Sequence, residues 1–168
     1  MQKPFVAILM GSDSDLPTMK STLEVLKSFD IRCELKISSA HRTPAATHAY
    51  VKDAEARGCG VFICAAGLAA HLAGAVSAIT VRPVIGVPMD GGPLQGMDAL
   101  LSTVQMPGGI PVATVAIGKA GAKNAGYLAA QILAVSDTAL AERLRAERVK
   151  NAEQIQARDA AVQKELGL

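Results

Sequence analysis

The regular pattern of the chain begins with the run Phe5-Val6-Ala7-Ile8-Leu9-Met10, which is followed by Gly11-Ser12-Asp13-Ser14-Asp15. A short, continuous apolar run that ends at a glycine is typical of a strand buried on both faces. Residues 16–29 then place apolar side chains at helical spacing, with Pro17 in the first turn, and predict a helix that Asp15 can cap. The chain therefore opens with a strand, a polar loop and a helix.

The same alternation continues along the chain. Further apolar runs predict strands at residues 31–37, 61–65, 84–87 and 112–117. Predicted helices cover residues 44–57, about 69–79 and about 120–134, and Gly58 is the expected end signal of the first of these. The pattern predicts a three-layer α/β domain, a parallel sheet with helices on both faces. Only 3% of the residues are aromatic, so its core must be aliphatic, as is usual for parallel sheets.

Composition excludes several classes of protein. A net charge of +2, without basic clusters among aromatic residues, does not indicate nucleic-acid binding. No apolar run reaches the length of a membrane span. The start, Met1-Gln2-Lys3-Pro4, does not resemble a signal peptide, so we expect a cytoplasmic protein. The three cysteines lack zinc-ligand spacing and are expected to be reduced, buried thiols: Cys33, Cys59 and Cys64.

The last part of the chain has a different character. From Asp137 onward it is rich in charge and poor in Gly and Pro, and its apolar residues form one narrow helical stripe: Leu140, Leu144, Ile155, Val162 and Leu166. We therefore predict a catalytic domain at 1–136 and a C-terminal amphipathic helical extension at 137–168. The stripe can pack on its own domain or dock on a neighbouring subunit.

Three polar or small-residue loops follow the first three strands. In the first, the hydroxyls of Ser12 and Ser14 and the free N–H groups at a helix start suit a phosphate, and Asp15 suits a sugar diol. Helix capping alone is the alternative explanation for Ser14 and Asp15. The loop lacks the glycine and lysine positions of a Walker motif, and it lacks the glycine positions of GxGxxG.

The second loop is Ser38-Ser39-Ala40-His41-Arg42-Thr43-Pro44, and the third is Ala65-Ala66-Gly67-Leu68-Ala69-Ala70-His71-Leu72. His41 beside Arg42 suits proton transfer on an anionic substrate, although a capping loop with an exposed histidine would look similar. Small residues in the third loop allow close approach of backbone to a ligand, while His71 could be structural. Because all three loops follow parallel strands, we expect them at one edge of the sheet.

The ordered set of these loops resembles a known family. Further motifs of the resemblance are Gly96-Met97-Asp98-Ala99-Leu100-Leu101-Ser102, residues 104–112 (Val104-Gln105-Met106-Pro107-Gly108-Gly109-Ile110-Pro111-Val112) and residues 116–125. Together they are similar to N5-carboxyaminoimidazole ribonucleotide mutase, the catalytic subunit family of phosphoribosylaminoimidazole carboxylase in purine biosynthesis. The resemblance covers about residues 5–135.

The resemblance implies a flavodoxin-like subunit in an octamer that has active sites between subunits and uses no metal or organic cofactor. It implies a ribonucleotide substrate whose carboxylate moves from the exocyclic nitrogen to ring carbon C4. By the resemblance, His41 handles the proton, and Ala66 and Gly67 hold the carboxylate or carbon dioxide. The remaining candidate residues bind substrate: Ser12, Ser14, Asp15, Ser39, Arg42 and His71.

The sequence also departs from the family pattern. Leu68 stands where a second glycine is common, Leu16 where a tryptophan is common, and Ala73 where a proline is common. The segment Met89-Asp90-Gly91-Gly92 replaces a typical Val-Gln-Ser segment. Leu68 lies in the carboxylate loop, so it is expected to change the shape of that pocket.

Two other functions stay open at this point. One is direct carboxylation of aminoimidazole ribonucleotide by carbon dioxide on the same scaffold. The related class that does this tends to carry His-Lys and a different third loop, so Arg42 and His71 favour the mutase. The other is a non-catalytic nucleotide sensor, since flavodoxin-like domains serve many roles.

Overall fold

A computed structural model describes residues 3–168. Met1 and Gln2 lie outside the described residues. They begin the segment in which no signal peptide is expected. The strands are β1 (Phe5–Met10), β2 (Cys33–Ile37), β3 (Cys59–Ala66), β4 (Val84–Pro88) and β5 (Ala113–Thr114). The helices are α1 (Leu16–Ser28), α2 (Pro44–Ala56), α3 (Leu72–Ser77), α4 (Met97–Val104), α5 (Gly118–Ala134) and α6 (Thr138–Leu166). The predicted three-layer α/β class is confirmed.

The five strands form one parallel sheet in the order β2-β1-β3-β4-β5. The chain moves from β1 to β2 in one direction and then returns past β1 to add β3, β4 and β5 on the other side. The loops after β1 and β3 therefore diverge at the point where the order reverses. In open α/β sheets, this gap at the carboxyl ends of the strands is where ligands bind.

Both faces of β1 are buried, as its continuous apolar run predicts. Val6, Ile8 and Met10 belong to the core cluster that includes residues of α1, α5 and α6. Phe5, Ala7 and Leu9 belong to the opposite cluster, beneath α2 and α3. Successive residues of a strand point to opposite faces, so one short run serves both cores and holds the loop that follows it in place.

The main differences from the predicted elements lie in the second half of the chain. The helix expected at about 69–79 is only Leu72–Ser77, and the strand expected at 112–117 pairs only over Ala113–Thr114. Backbone pairing beyond that strand is reduced to Val115 N–H donating to the Gly86 carbonyl at 3.1 Å. Helix α4 was not predicted, because eight residues carry too little periodicity to stand out beside the flanking glycines.

The start of α1 also differs from the prediction. Asp15 occupies the N-cap position but its side chain makes no capping hydrogen bond. A single 3-10 turn, Asp13–Asp15, precedes the helix, and the Ser12 hydroxyl accepts from Ser14 N–H at its start. The serine therefore does the local capping, which leaves the Asp15 carboxylate available for another partner. By contrast, Gly58 ends α2 with a φ of +90°, as predicted.

Helix α6 packs on its own domain only near its beginning. The Asp137 carboxylate accepts from Leu140 N–H at 3.0 Å and caps the helix, and Leu140 and Leu144 are buried. The rest of the predicted stripe is exposed: Ile155, Val162 and Leu166. The division into 1–136 and 137–168 stays a prediction, although the first turns of α6 share the core of the preceding domain.

Two further predictions concern composition. Cys59 and Cys64 are buried free thiols, while Cys33 is only partly buried; burial raises the pKa of Cys59 to about 11. Across residues 3–168, no helix is long and apolar enough to cross a membrane.

Candidate active site

A cleft of about 760 Å³ opens at the reversal point of the sheet. The loops after β1, β2, β3 and β4 line it. All nine candidate residues lie along it: Ser12, Ser14, Asp15, Ser39, His41, Arg42, Ala66, Gly67 and His71. Their roles stay predictions, but the expected convergence of the three loops is a feature of the fold.

The first loop forms a small polar turn at the floor of the cleft. The Ser14 hydroxyl donates to the Ser12 hydroxyl at 2.9 Å, and Gly11 N–H donates to the Ala65 carbonyl at 2.9 Å. The second bond ties this loop to the neighbouring strand β3. The turn thus presents two hydroxyl groups to the cleft on a backbone that is anchored from both sides.

Asp15 is the buried carboxylate of this loop. Only 8% of the residue is exposed. Desolvation raises its pKa above the usual value of 3.8, and hydrogen bonds from Ser12 and Ser14 oppose that effect in part. Burial of a carboxylate without a cationic partner is unfavourable, and such groups occur more often at functional sites than elsewhere.

The second loop is held rigid by its own hydroxyl groups. Ser38 and Thr47 share a buried hydrogen bond of 2.7 Å between their hydroxyls. The Thr43 hydroxyl accepts from Ser39 N–H at 3.1 Å and donates to the Ser39 carbonyl at 3.0 Å. These bonds close a tight turn, so the two residues at its tip, His41 and Arg42, have little freedom in their backbone position.

Arg42 links the second loop to the first. Its Nη2 donates to the Gly11 carbonyl at 3.2 Å, and its Nε donates to the Ser39 hydroxyl at 3.4 Å. A guanidinium has five N–H donors, so these two bonds orient the group and leave donors for a ligand. A fixed cation beside the Ser12 turn makes this end of the cleft suitable for an anion such as a phosphate.

The two histidines of the cleft contact each other. His41 Nε2 and His71 Nδ1 lie 2.7 Å apart, and the rings meet edge to face with centroids 4.8 Å apart. At that distance one nitrogen must donate and the other accept, so each ring determines the tautomer of the other. His71 stands directly before α3 and makes no side-chain cap to it, so its side chain serves this contact and not the helix end.

Ala66 and Gly67 form a narrow wall beyond the histidines. Met89 N–H donates to the Ala66 carbonyl at 2.9 Å. A Cβ on Gly67 would lie 3.4 Å from the Cβ of Met89, so a larger residue would press against the loop after β4. Across residues 3–168, no group of three or more His, Cys, Asp or Glu could hold a metal ion.

The fourth loop is the part of the cleft that the sequence motifs do not predict. The cleft is lined by four residues of this loop, Met89, Asp90, Gly91 and Gly92, and also by Leu68 of the third loop. The signal that could have found them is topological: β4 is a parallel strand, so its carboxyl end meets the same edge as the other three.

Comparison with known proteins identifies the family of the chain. A sequence model described as AIR carboxylase matches residues 5–154. The chain belongs to the AIR carboxylase family. It is therefore an enzyme, and the resemblance found in its motifs is confirmed.

Curated relatives of this family member carry one name. The chain is 54% identical over 144 residues to a protein of Pyrococcus horikoshii, covering 86% of this chain and 80% of that protein. It is 54% identical over 142 residues to one of Bacillus subtilis, covering 84% and 88%. It is 48% identical over 166 residues to one of Mycobacterium tuberculosis, covering 99% and 94%. Each of these relatives is named N5-carboxyaminoimidazole ribonucleotide mutase.

A solved structure matches the fold. The crystal structure of Treponema denticola PurE superposes with a TM-score of 0.86 at 32% identity, covering 94% of this chain and 98% of that one. The flavodoxin-like class that the motifs imply is thereby confirmed for this AIR carboxylase family member.

Proposed function

We propose that this enzyme is an isomerase of de novo purine biosynthesis, which converts N5-carboxyaminoimidazole ribonucleotide to 4-carboxy-5-aminoimidazole ribonucleotide. The observation that carries the proposal is the contact between His41 and His71 at the junction of the polar and the small-residue ends of one cleft. The shared name of relatives that are 48–54% identical supports the same substrate.

The substrate is proposed to lie along the cleft with its phosphate at the Ser12 turn and Arg42. The guanidinium and hydroxyl groups there suit a dianion. Asp15 would accept hydrogen bonds from the ribose hydroxyls, which would add to the hydrogen bonds that Ser12 and Ser14 give its buried carboxylate. This arrangement directs the aminoimidazole ring toward the histidines and the Ala66-Gly67 wall.

The proposed reaction is a decarboxylation followed by recapture. The bond between the exocyclic nitrogen and the carboxylate breaks, and its electron pair remains on the nitrogen, which takes up a proton. The ring carbon C4 then attacks the released carbon dioxide, and a base removes the proton that C4 still carries. One proton is gained at nitrogen and one is lost at carbon, so a single imidazole, His41, can donate the first and accept the second.

His71 is proposed to act through His41. By accepting from or donating to Nε2 of His41, it sets which nitrogen of that ring carries the proton. The Ala66-Gly67 wall is proposed to hold the carboxylate or the carbon dioxide, because its small residues leave a narrow space. Confinement makes recapture effectively intramolecular.

Direct carboxylation of aminoimidazole ribonucleotide is the second candidate, because the family description is AIR carboxylase. The test is to incubate the purified protein with each ribonucleotide, with and without bicarbonate. A mutase converts the N-carboxylated substrate without added bicarbonate. Conversion of the uncarboxylated ribonucleotide alone, in proportion to dissolved carbon dioxide, would favour the second candidate and overturn the first.

Assembly into a cytoplasmic homo-octamer is also part of the proposal. Besides the stripe of α6, helix α4 exposes three apolar residues on one face: Met97, Leu101 and Val104. Apolar patches of this kind usually mark contacts with other chains, and closed symmetric homo-oligomers are the common solution. Neither a metal nor an organic cofactor is part of the proposed chemistry.

A further inference from the structure

One residue of the cleft wall adopts an unusual backbone conformation. Leu68 has a φ of +55°, in the left-handed region that residues with a Cβ seldom adopt. The other residues of the described chain that share this feature without being glycine are polar, Asp30 and Gln95. Of these three, only Leu68 lines the cleft. The fold thus places a bulky apolar side chain where glycine would be the favourable choice.

The side chain of Leu68 has a specific seat on the opposite loop. A Cβ built on Gly92 would lie 2.4 Å from Cδ2 of Leu68. The leucine therefore occupies the space into which any other residue at position 92 would project its side chain. Gly92 has a φ of +84° and lies in the loop after β4, so the contact joins the third and fourth loops.

This contact lies beside the narrow wall described above. Leu68 directly follows Ala66 and Gly67 in the chain, and Gly67 faces Met89 of the same fourth loop. Leu68 is nevertheless 54% exposed, and it lines the cleft together with Gly92. The small-residue pocket is thus bordered by an apolar side chain that rests on glycine.

We propose that Leu68, seated on Gly92, is an apolar cap over the Ala66-Gly67 end of the cleft, and that it retains carbon dioxide beside the substrate ring until C4 captures it. This inference rests on the proposed function. Carbon dioxide is apolar and makes no strong hydrogen bonds, so an ionic group cannot hold it. An apolar cover that limits both its escape and the entry of water is the suitable device.

The cap affects the fate of a single intermediate state. After the bond between nitrogen and carboxylate breaks, the cleft holds aminoimidazole ribonucleotide and carbon dioxide. Capture forms the new bond at C4 and gives product, whereas escape releases the two species separately, with no change in oxidation state. A residue that acts as a cap therefore changes the ratio of these outcomes, and a residue that binds the phosphate does not.

The test uses the full chain and the variants Leu68→Gly and Leu68→Met. Glycine is favourable at a positive φ, so Leu68→Gly removes the cap without straining the backbone. Methionine keeps an apolar side chain of similar volume that, like leucine, is not branched at Cβ. Val81→Ala is the control, because Val81 is an exposed apolar residue on the turn before β4, outside the cleft.

The assay starts from N5-carboxyaminoimidazole ribonucleotide in buffer with ¹³C-bicarbonate, and an enzyme-free sample corrects for spontaneous decarboxylation. It measures the released aminoimidazole ribonucleotide per product and the ¹³C content of the product carboxylate. We expect Leu68→Gly to raise the release ratio and the ¹³C content several-fold. Leu68→Met and Val81→Ala should give values of both that are close to those of the unaltered protein. The KM for the ribonucleotide should change little.

Other results overturn the inference in distinguishable ways. If the unaltered protein converts the substrate and Leu68→Gly neither releases more ribonucleotide nor incorporates more ¹³C, Leu68 is not a cap and the proposed function stands. Reduced assembly of Leu68→Gly by light scattering, without extra release, would make Leu68 a subunit contact instead. Absence of any conversion by the unaltered protein would overturn both proposals.

Discussion

His41 Nε2 lies 2.7 Å from His71 Nδ1, so two imidazoles from different strand-end loops share one hydrogen bond inside the cleft. The two residues are 30 positions apart in the chain. They meet because β1, between β2 and β3 in the sheet, brings the loops after its two neighbours to the same edge. A change in the protonation of one ring therefore changes the hydrogen bond that it makes with the other.

Substitution of either histidine tests this relationship. We expect His41→Asn to lower kcat by about 10²-fold or more, because it removes the proposed general acid and base. His71→Asn should lower kcat about 2–10-fold, which is the effect of losing one neutral hydrogen bond, and should alter the pH profile of kcat. Steady-state kinetics over a range of pH measures both.

The third histidine of the chain provides a matched control. His48 lies exposed on α2, outside the cleft, and His48→Asn should leave kcat unchanged. The double variant of His41 and His71 should be about as slow as His41→Asn alone, because a partner that acts through His41 has no effect once His41 is absent. Losses that simply multiply would contradict a positioning role for His71.

Arg42 is expected to serve binding more than chemistry. Arg42→Ala should raise the KM about tenfold or more, the effect of losing a charged hydrogen bond, and should lower kcat less. Arg42→Lys should recover only part of the affinity, because an ammonium cannot bond the first loop and a phosphate with the same fixed geometry. The KM and kcat of the variants distinguish these effects.

Arg82 is a suitable comparison for that experiment, because it is an exposed arginine outside the cleft. Its Nε lies 3.9 Å from Oε1 of Glu55. Arg82→Ala should have the KM of the unaltered protein. If Arg42→Ala lowers kcat and leaves the KM unchanged, the phosphate is not at this end of the cleft.

The buried carboxylate of Asp15 predicts a pH dependence of stability. Its pKa is raised in the folded state by desolvation, so folding favours the protonated form. The unfolding free energy should therefore fall as pH rises from the ordinary Asp value through the raised one. Asp15→Asn removes this loss and should raise the melting temperature more at pH 7 than at pH 4.

The same substitution should reduce substrate affinity, since the carboxylate is proposed to hold the ribose. Stability gained together with activity lost is the usual sign of a strained functional group. Asp159→Asn, on the exposed end of α6, controls for a change of net charge. Equal shifts in melting temperature for Asp15→Asn at the two pH values would contradict the argument.

The sequence predicted some levels of this structure better than others. The buried strand at Phe5–Met10 and the helix ending at Gly58 follow from local patterns, a continuous apolar run and a residue that tolerates positive φ. The capping role of Asp15 was wrong, because Pro17 in the first turn has no N–H to donate and the Ser12 hydroxyl caps the 3-10 turn that precedes the helix. Helix α4 and the two-residue β5 depend on tertiary context that no short pattern contains.

The candidate site shows a similar division. Residues of the first three loops were found because their side chains carry chemistry or match family motifs. The fourth loop was missed as part of the cleft, although Asp90 carries a carboxylate, because its segment departs from the family pattern and matches no motif. The distance between His41 and His71 likewise depends on strand order, which the motifs alone do not give.

The exposed end of α6 leads to a prediction about assembly. Leu140 and Leu144 belong to the core, so removal of the chain after about Ala134 would damage the fold itself. Deletion of residues 151–168 avoids this, because every residue in that range is exposed. We expect this deletion to lower the number of subunits in the assembly. The activity should fall with it if the active sites lie between subunits. Light scattering at the assay concentration measures the mass.

A second variant separates the apolar stripe from the length of the helix. Replacement of Ile155, Val162 and Leu166 by glutamine keeps helix propensity and removes the apolar surface. If the stripe docks on a neighbouring subunit, this variant should assemble as poorly as the deletion. Matched replacement of Lys150, Glu153 and Lys164 by glutamine changes the opposite, exposed face of the same helix and should leave assembly intact. Full assembly and activity of the deleted chain would mean that the end of α6 is not a subunit contact, and the exposed face of α4 would then be the remaining candidate among the apolar surfaces described above.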